Sequence, residues 1–567
     1  MQPFDKFRND VLTILSKSDI PKDRIEAILE VPPQPEMGDL SLPCFKLAAE
    51  LQKEPKKIAD ELAINTNASG LVKEIRIAGP YLNFYADWNK LGQLLIEEIL
   101  KQKDSYGSGK NTSKFMVEFS HPNTHKAFHI GHMRNISIGE SLSRILVFSG
   151  SKVVRANYQG DIGPHVAKCI WGFINLYKSK EPKKDRGRWL GDVYAEASKK
   201  MTTDEKIEKE VTEINKKIYA GDKELAVIWK KTRQWSLDYF ESIYNDFGAK
   251  FDRFYFEAEV EKNALKISEQ LLNKKVAKLS DGAIIMDLEK YGLSVWPLVT
   301  GNKTPLYSAK DLALAELQIK EYNPDKIIHV VGSEQNLHFR QLIKTLEMTK
   351  PKIAEKEYHL SYGLVNLPEG KMKSREGKVI LYEDLKSEIF KLTNKITKKN
   401  NPKLGKAQLE KLSMDIALGA LKYSMISQSP DKVIIFDWER ALDFRGNSAP
   451  YIQYTYARAN SIFRKAKASS VPKYDASLLK DPKERVLLKT MMEFPRIVSD
   501  SARDYRPHYV ANYAYKLATI FNEFYEAVPV LVDDKDQKNS RLALIGTFQV
   551  VMKNALFLLG IEAPEKM

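Results

Sequence analysis

Four of the nine histidines fall between His121 and His132, in the run HPNTHKAFHIGH, and imidazoles at that density can do two kinds of chemistry. One is metal ligation, since His125 and His129 have the i, i+4 spacing that puts two zinc ligands on one helix face. Gly131 and the loop signals before it break up any single ligand-bearing helix, and no acidic third ligand stands at a recognised offset, so no structural metal is expected. The other is phosphate chemistry. His129 and His132 flank Gly131 where a helical pattern starts, and there free backbone N–H groups, the helix dipole and imidazole donors together attract a polyphosphate. Lys126, just upstream, reads as solvated charge by itself and as a long flexible cation for the same anion beside these histidines.

The flanking pattern supplies the elements that must hold these groups. FMVEF is a short apolar strand, and from Gly131 onward Ile138, Leu142, Ile145 and Leu146 follow a helical period that Gly150 closes. VVRANY (153–158) is a second strand, so the unit is a βαβ crossover of a parallel α/β sheet, whose ligands collect at the strand ends. NYQGDIGPH then leads into another helix, and a lysine-rich helical insertion covers about 178–250 with no second active site in it. Sheet character resumes with AIIMDL and PLVT, and a helix begins near Ser308. Tyr307 and Asp311 share a face of that helix, and Ser308-x-x-Asp311 reads as its capping box. KIIHVV predicts a strand that places Gln335 at its C-terminal end. Glu118, beside the apolar FMV run, needs a partner or solvent. Two carboxylates, Glu118 and Asp311, near one pocket suit a cationic substrate, because a guanidinium presents five donors in a planar fork that carboxylates match.

Composition bounds the rest. With 567 residues and 43% hydrophobic content the chain can bury several cores, about three or four domains' worth. A formal net charge of +15 favours a polyanionic partner such as nucleic acid, although a basic surface can also serve solubility alone. Two cysteines, Cys44 and Cys169, are too few for a disulfide framework or a cysteine zinc cluster, which points to a reducing compartment, the cytoplasm. No uninterrupted apolar run spans a bilayer, and MQPFDKFRND carries charges where a signal peptide needs an apolar segment. Residues 1–112 read as a small α/β domain, with IRIAGPYLNFYAD as an alternating strand, followed by the linker DSYGSGKNTSK. Beyond about 400 the pattern is a helical bundle, in which Tyr509, Tyr513, Phe521 and Phe524 are core by spacing, while any exposed aromatic beside Arg or Lys could stack bases.

His129-Ile130-Gly131-His132 resembles the HIGH signature of class I aminoacyl-tRNA synthetases. The longer segment through Glu118, Pro122, Asn123, Lys126, His129, His132 and Arg134 is similar to the first motif of the arginyl-tRNA synthetase family. The resemblance implies that Tyr307, Asp311 and Gln335 hold the arginine side chain and that Glu118 and Asn123 take its other polar groups. Lys371-Met372-Lys373-Ser374-Arg375 resembles the second class I signature, usually Lys-Met-Ser-Lys-Ser, which closes over the triphosphate; Ser374 replaces its second lysine. On the same resemblance, His129, Gly131, His132, Met372 and Ser374 bind ATP, and Lys126, His129, His132, Lys371 and Lys373 carry the catalytic charge. PEMGDLSLP and AGPYLNFY resemble the family's N-terminal domain, which contacts the tRNA elbow, and FRGNSAPYIQYTYARA resembles the start of its anticodon-binding domain.

The expected fold class is therefore α/β: a Rossmann-like parallel sheet of the class I synthetase type with a helical insertion, a small N-terminal α/β domain and a C-terminal all-α bundle. The expected units are 1–112, 113–400 and 401–567. The implied activity is ATP-dependent activation of L-arginine and its transfer to tRNA(Arg), with ATP taken as its Mg²⁺ complex, by a monomer that needs no membrane. Rival readings are another class I specificity, a nucleotidyltransferase of the same fold, and a non-catalytic RNA-binding protein. The nucleotidyltransferase leaves both flanking domains and the basic charge unexplained, and ATP binding without pyrophosphate exchange would mark the RNA-binding protein.

Overall fold

The computed structural model describes residues 2–64, 66–366 and 380–567. Five strands form one sheet: β1 (Lys114–Glu118), β2 (Lys152–Gln159), β3 (Arg253–Phe256), β4 (Lys326–Gly332) and β5 (Glu357–Tyr362). Their order is β5-β4-β1-β2-β3, and every neighbouring pair is parallel. Helices cover both faces, which is why β1 and β4 read as nearly unbroken apolar runs instead of alternating ones. The chain builds outward from β1 through β2 to β3 and then returns to the other side of β1 with β4. That reversal opens a crevice at the C-terminal ends of β1 and β4, the place where open α/β sheets bind ligands.

The helices that frame the crevice are α1 (Ile130–Phe148), α2 (Pro164–Asn175), α3 (Lys223–Phe247), α4 (Tyr307–Tyr322) and α5 (Asn336–Thr349). Helix α1 lies so close to the end of β1 that a Cβ on Gly139 would stand 2.2 Å from the Phe119 ring. The insertion is helical as its composition predicts, made of Arg186–Met201, Glu205–Tyr219 and α3.

Several expectations are corrected. AIIMDL and PLVT do not rejoin the main sheet; with Lys278–Ser280 they form a separate three-stranded antiparallel sheet. IRIAGPYLNFYAD is not one strand but a hairpin, Val72–Ala78 against Tyr81–Ala86, because Gly79 takes a positive φ of 58° and Pro80 completes the turn. The Ser308–Asp311 capping box does not form. Leu306 is the N-cap, the Ser308 hydroxyl donates to the Pro297 carbonyl, and Asp311 is engaged elsewhere. The linker at 104–114 is anchored through Tyr106, which is buried, faces Phe494 and donates its hydroxyl to the Met491 carbonyl at 3.2 Å.

Beyond residue 400 the bundle comprises Lys406–Ile426, Ala449–Ala466, Pro482–Met492, Phe494–Asp504, His508–Ala527 and Lys535–Leu558. The helix Tyr382–Asn400, which the periodicity did not single out, packs along Lys406–Ile426. Tyr513, Phe521 and Phe524 are buried as their spacing predicts, and Phe521 stacks on Phe548 at 3.9 Å. Lys535–Leu558 is long and apolar enough by composition to cross a membrane, but most of its apolar window is buried inside the bundle, so it is a core helix. One continuous core joins the N-terminal unit (Phe7, Leu95), the sheet side (Val117, Ile138) and the bundle (Leu421, Phe521).

Candidate active site

A cavity of about 180 Å³ opens at the C-terminal ends of β1 and β4. Its wall includes Glu118, Asn123, Tyr307, Asp311 and Gln335, five residues from three separate stretches of sequence. Each arrives for a local reason. Glu118 ends β1, Asn123 sits in the loop that follows, Tyr307 and Asp311 occupy the first turns of α4, and Gln335 closes the short 3₁₀ turn after β4. The loop from Ser120 to His125 is strained: Ser120, His121 and His125 have φ of 79°, 48° and 66°. Non-glycine residues there cost about 1–3 kcal/mol each and persist where the surroundings hold them. Here Thr124 binds the Gly160 carbonyl through its backbone N–H at 2.9 Å, and a side chain at Gly160 would collide with Asn123 Oδ1.

The two wall carboxylates differ in their partners. Glu118 is buried, accepts from His329 Nδ1 at 2.9 Å and also from the Gln318 amide. Asp311 Oδ2 accepts from His338 Nε2 at 2.6 Å, while His338 Nδ1 accepts from Trp296 Nε1 at 3.3 Å. That arrangement fixes His338 as a neutral imidazole with its proton on Nε2, so it orients Asp311 without cancelling its charge. Glu118 thus has the partner that its place beside the apolar run requires, and Asp311 is partnered too, but only Glu118 faces a cationic partner. Tyr307, exposed at the mouth, lays its ring 4.7 Å from that of His338. Among wall residues, sequence reasoning missed Tyr158, Glu257, His329, His338 and Glu357. Glu257 is a salt-bridge partner of buried Lys310 at 2.7 Å. Only His329 carried a legible signal, a histidine inside an apolar strand.

His129 caps α1, with Nδ1 accepting from the Gly131 N–H and His132 Nδ1 accepting from the His129 N–H, both at 3.2 Å. Their rings stack at 3.7 Å. With both Nδ1 atoms accepting, each imidazole keeps its proton on Nε2 as a neutral donor. Burial, and next the Lys126 ammonium, push His129 down to about 4; burial and then His129 hold His132 well below its ordinary value. Both histidines are therefore uncharged at neutral pH, and His129 charges only as the pH falls toward 4. We expect ¹⁵N resonances of His129 and His132 to stay those of neutral imidazole from pH 8 down to pH 5.5. A midpoint near 6.5 would contradict the burial argument.

His125 is not beside them. Its ring Nε2 lies 2.8 Å from Thr232 Oγ1 and its backbone N–H donates to Ser236 Oγ at 2.9 Å, so it pins the loop to α3 of the insertion. No metal-holding group of His, Cys, Asp and Glu occurs among the described residues. Lys126 rests its ammonium 5.2 Å over the Tyr194 ring. Lys371, Met372, Lys373 and Ser374 lie outside the described residues. The chain beyond them is tied to the histidine turn, since Ile130 donates to the Ile380 carbonyl at 3.1 Å and Tyr382 to that of Phe128 at 3.0 Å. Arg134, fully buried, holds the chain before them by the carbonyls of Gly363 and Leu364.

The family model described as tRNA synthetases class I (R), catalytic domain, matches residues 95–438, so the fold and site define a class I aminoacyl-tRNA synthetase. Models of the DALR anticodon binding domain and the arginyl tRNA synthetase N terminal domain match 452–567 and 5–86. The chain is 35% identical to the arginine–tRNA ligases of Clostridium perfringens and Clostridium acetobutylicum, each over 553 residues and 97% of both sequences. It superposes on the Thermus thermophilus arginyl-tRNA synthetase with a TM-score of 0.81 at 25% identity, over 99% of this chain and 100% of that one. The chain belongs to the arginyl-tRNA synthetase family.

Proposed function

We propose that the chain activates L-arginine with ATP and transfers it to tRNA(Arg), and that the cavity beside the His129 turn is where the first step occurs. The carrying observation is the meeting of Glu118, Asn123, Tyr307, Asp311 and Gln335 in one wall, next to a helix N-terminus bearing two neutral imidazole donors. In this reading Asp311, with its charge intact, takes the guanidinium alongside Tyr307 and Gln335, and Glu118 and Asn123 take the α-ammonium end. The arginine carboxylate attacks the ATP α-phosphate, forming arginyl-adenylate and releasing pyrophosphate. A terminal ribose hydroxyl of the tRNA then takes the arginyl group and AMP leaves. Chemistry of this kind needs positioning and charge stabilisation more than covalent help from the protein. His129 and His132 donate to phosphate oxygens from Nε2 beside the free N–H groups of α1, and Lys126, Lys371 and Lys373 supply cations. Mg²⁺ enters with ATP as part of the substrate.

Charging assays with each of the twenty amino acids test this directly. Arginine alone is expected to be esterified to tRNA, and charging with another amino acid in its place would overturn the assignment. The same reading takes the chain as a cytoplasmic monomer; its cysteines are buried free thiols, which suits a reducing compartment. The division is taken as 1–112, 113–400 and 401–567; the matched spans share its three-unit order, but the catalytic match, 95–438, runs past both boundaries.

The bundle is assigned to tRNA affinity. Because it shares a core with the sheet side, cutting the chain near residue 400 would strip apolar surface from both, and exposed cations make the better probe. Replacing exposed Lys465 and Lys467 by alanine is expected to weaken tRNA binding and flatten the plot of log K against log salt by about 0.7–0.9 for each phosphate that is no longer neutralised. Arginine-dependent pyrophosphate exchange measured at saturating tRNA is expected to stay within about 2-fold, the additive behaviour of distant sites. An unchanged salt slope would remove these two lysines from the tRNA surface.

A further inference from the structure

Beneath the cavity three charged side chains stand in a row across three strands. In the parallel register His329 of β4 is paired with Glu118 of β1, and side chains paired in register share a face. On the other side β5 brings Glu357 to the same imidazole. His329 Nδ1 lies 2.9 Å from Glu118 Oε1 and Nε2 lies 2.5 Å from Glu357 Oε2, and all three residues are at most 6% exposed. An imidazole with a carboxylate at each nitrogen is a donor at both, which only the imidazolium can be. The side chain of Glu357 has no other partner among the described residues, because its remaining oxygen is buried without a hydrogen bond.

We propose that His329, held from behind by Glu357, is the positioning residue that keeps Glu118 ionised toward the cationic end of the substrate. The physical need is plain. A carboxylate this deeply buried is desolvated and tends to take a proton, and a neutral Glu118 would lose its attraction for an ammonium. The other groups facing His329 do not supply the charge. His121, whose Nδ1 is 4.0 Å from Glu118, is pushed down by burial. His359 of β5 donates toward the Val331 carbonyl and is pushed down to about 4, chiefly by burial. His338 of α5 is committed to Asp311 and Trp296, Phe339 of α5 offers only its ring, and Gln318 of α4 is a neutral donor to Glu118. Burial alone would push His329 down as well, but Glu118 and then Glu357 outweigh it and hold it well above its ordinary value. For Glu118, burial alone would raise the carboxyl, and His329 brings it below its ordinary value.

The inference rests on arginine being the substrate, so one arm of the test is independent of substrate. In the full-length protein labelled with ¹⁵N-histidine, and with His329→Gln to assign the signal, His329 is expected to remain imidazolium through pH 8. A neutral His329 at pH 7 overturns the proposal. In Glu357→Gln its midpoint is expected to fall, and an unmoved midpoint removes Glu357 from the role. The second arm measures arginine-dependent pyrophosphate exchange in His329→Gln at saturating tRNA. With the cation gone, burial raises the Glu118 carboxyl toward neutrality. The arginine KM is then expected to rise about 10-fold at pH 6 but by less than about 3-fold at pH 8.5, tenfold being one unit of pKa, with the ATP KM unmoved. A loss equal at every pH and shared by the ATP KM would mean a merely structural role and overturn the proposal. If His329→Gln does not fold, the imidazolium signal of the parent protein, assigned by difference in Glu357→Gln, decides alone. Absence of arginine-dependent exchange in the parent protein would sink the assigned substrate while leaving the histidine result standing.

Discussion

Replacing Lys126 by alanine is expected to lower the rate of arginyl-adenylate formation by about 10²- to 10³-fold, the range for one transition-state donor, with little change in arginine affinity. The second signature here reads Lys-Met-Lys-Ser-Arg, so Ser374 stands where the second lysine is usual and that one position brings no cation to the α-phosphate. We propose that Lys126 makes up the loss. Its ammonium depresses His129, so it already lies within electrostatic reach of the turn that caps α1. Its resting place over the half-buried Tyr194 ring holds it weakly, since a cation–π contact there is worth about 0.5–2 kcal/mol, less than a phosphate in a dry site. Negative charge builds on the phosphate oxygens in the transition state, so the loss should appear in kcat. Single-turnover adenylate formation with saturating tRNA and Mg²⁺ measures it, and Ser374→Lys in the same background should recover part of the rate. A near-normal rate in Lys126→Ala would return this lysine to ordinary surface.

Asp311→Asn is expected to raise the arginine KM by about 10²-fold, the scale of a lost charge-assisted hydrogen bond, while leaving the ATP KM within about 2-fold. The substitution is conservative in shape, because asparagine Oδ1 can still accept from His338 Nε2 and keep the first turns of α4 in place. What it removes is the charge that the neutral His338 leaves available. Citrulline, the neutral isostere of arginine, should lose less against the variant than arginine does, because a site built around a charge rejects the uncharged analogue by leaving its own group unpaired. An unchanged arginine KM would remove Asp311 from the pocket. Equal effects on arginine and citrulline would show that the change acts through packing.

How far these residues were legible can be followed one by one. The histidine turn was readable because its chemistry is local: His129, Gly131 and His132 lie within one helical turn, and a helix start is written in its own neighbourhood. The strand-end positions of Glu118 and Gln335 and the shared face of Tyr307 and Asp311 followed from periodicity for the same reason. The capping box at Ser308 looked equally local but failed, because Pro297 and His338, both distant in sequence, compete for the same two side chains. The hairpin at Gly79 was missed because alternation runs unbroken through a turn whose only mark is one glycine and one proline.

By itself, then, the sequence determined the chemical inventory: two imidazoles at a helix N-terminus, two carboxylates and a lysine near strand ends, a basic surface and three kinds of structural unit. Tertiary structure alone decided the electrostatics. Glu118 and His329 are 211 residues apart, and they meet only because the chain crosses back to lay β4 beside β1. His125 likewise turned away from His129 and His132 because α3, more than a hundred residues later, offers its buried ring a hydroxyl partner. Periodicity reports which face a residue takes on its own element, whereas the charge state of a buried group depends on which element lies next to it, and that is settled by the whole fold.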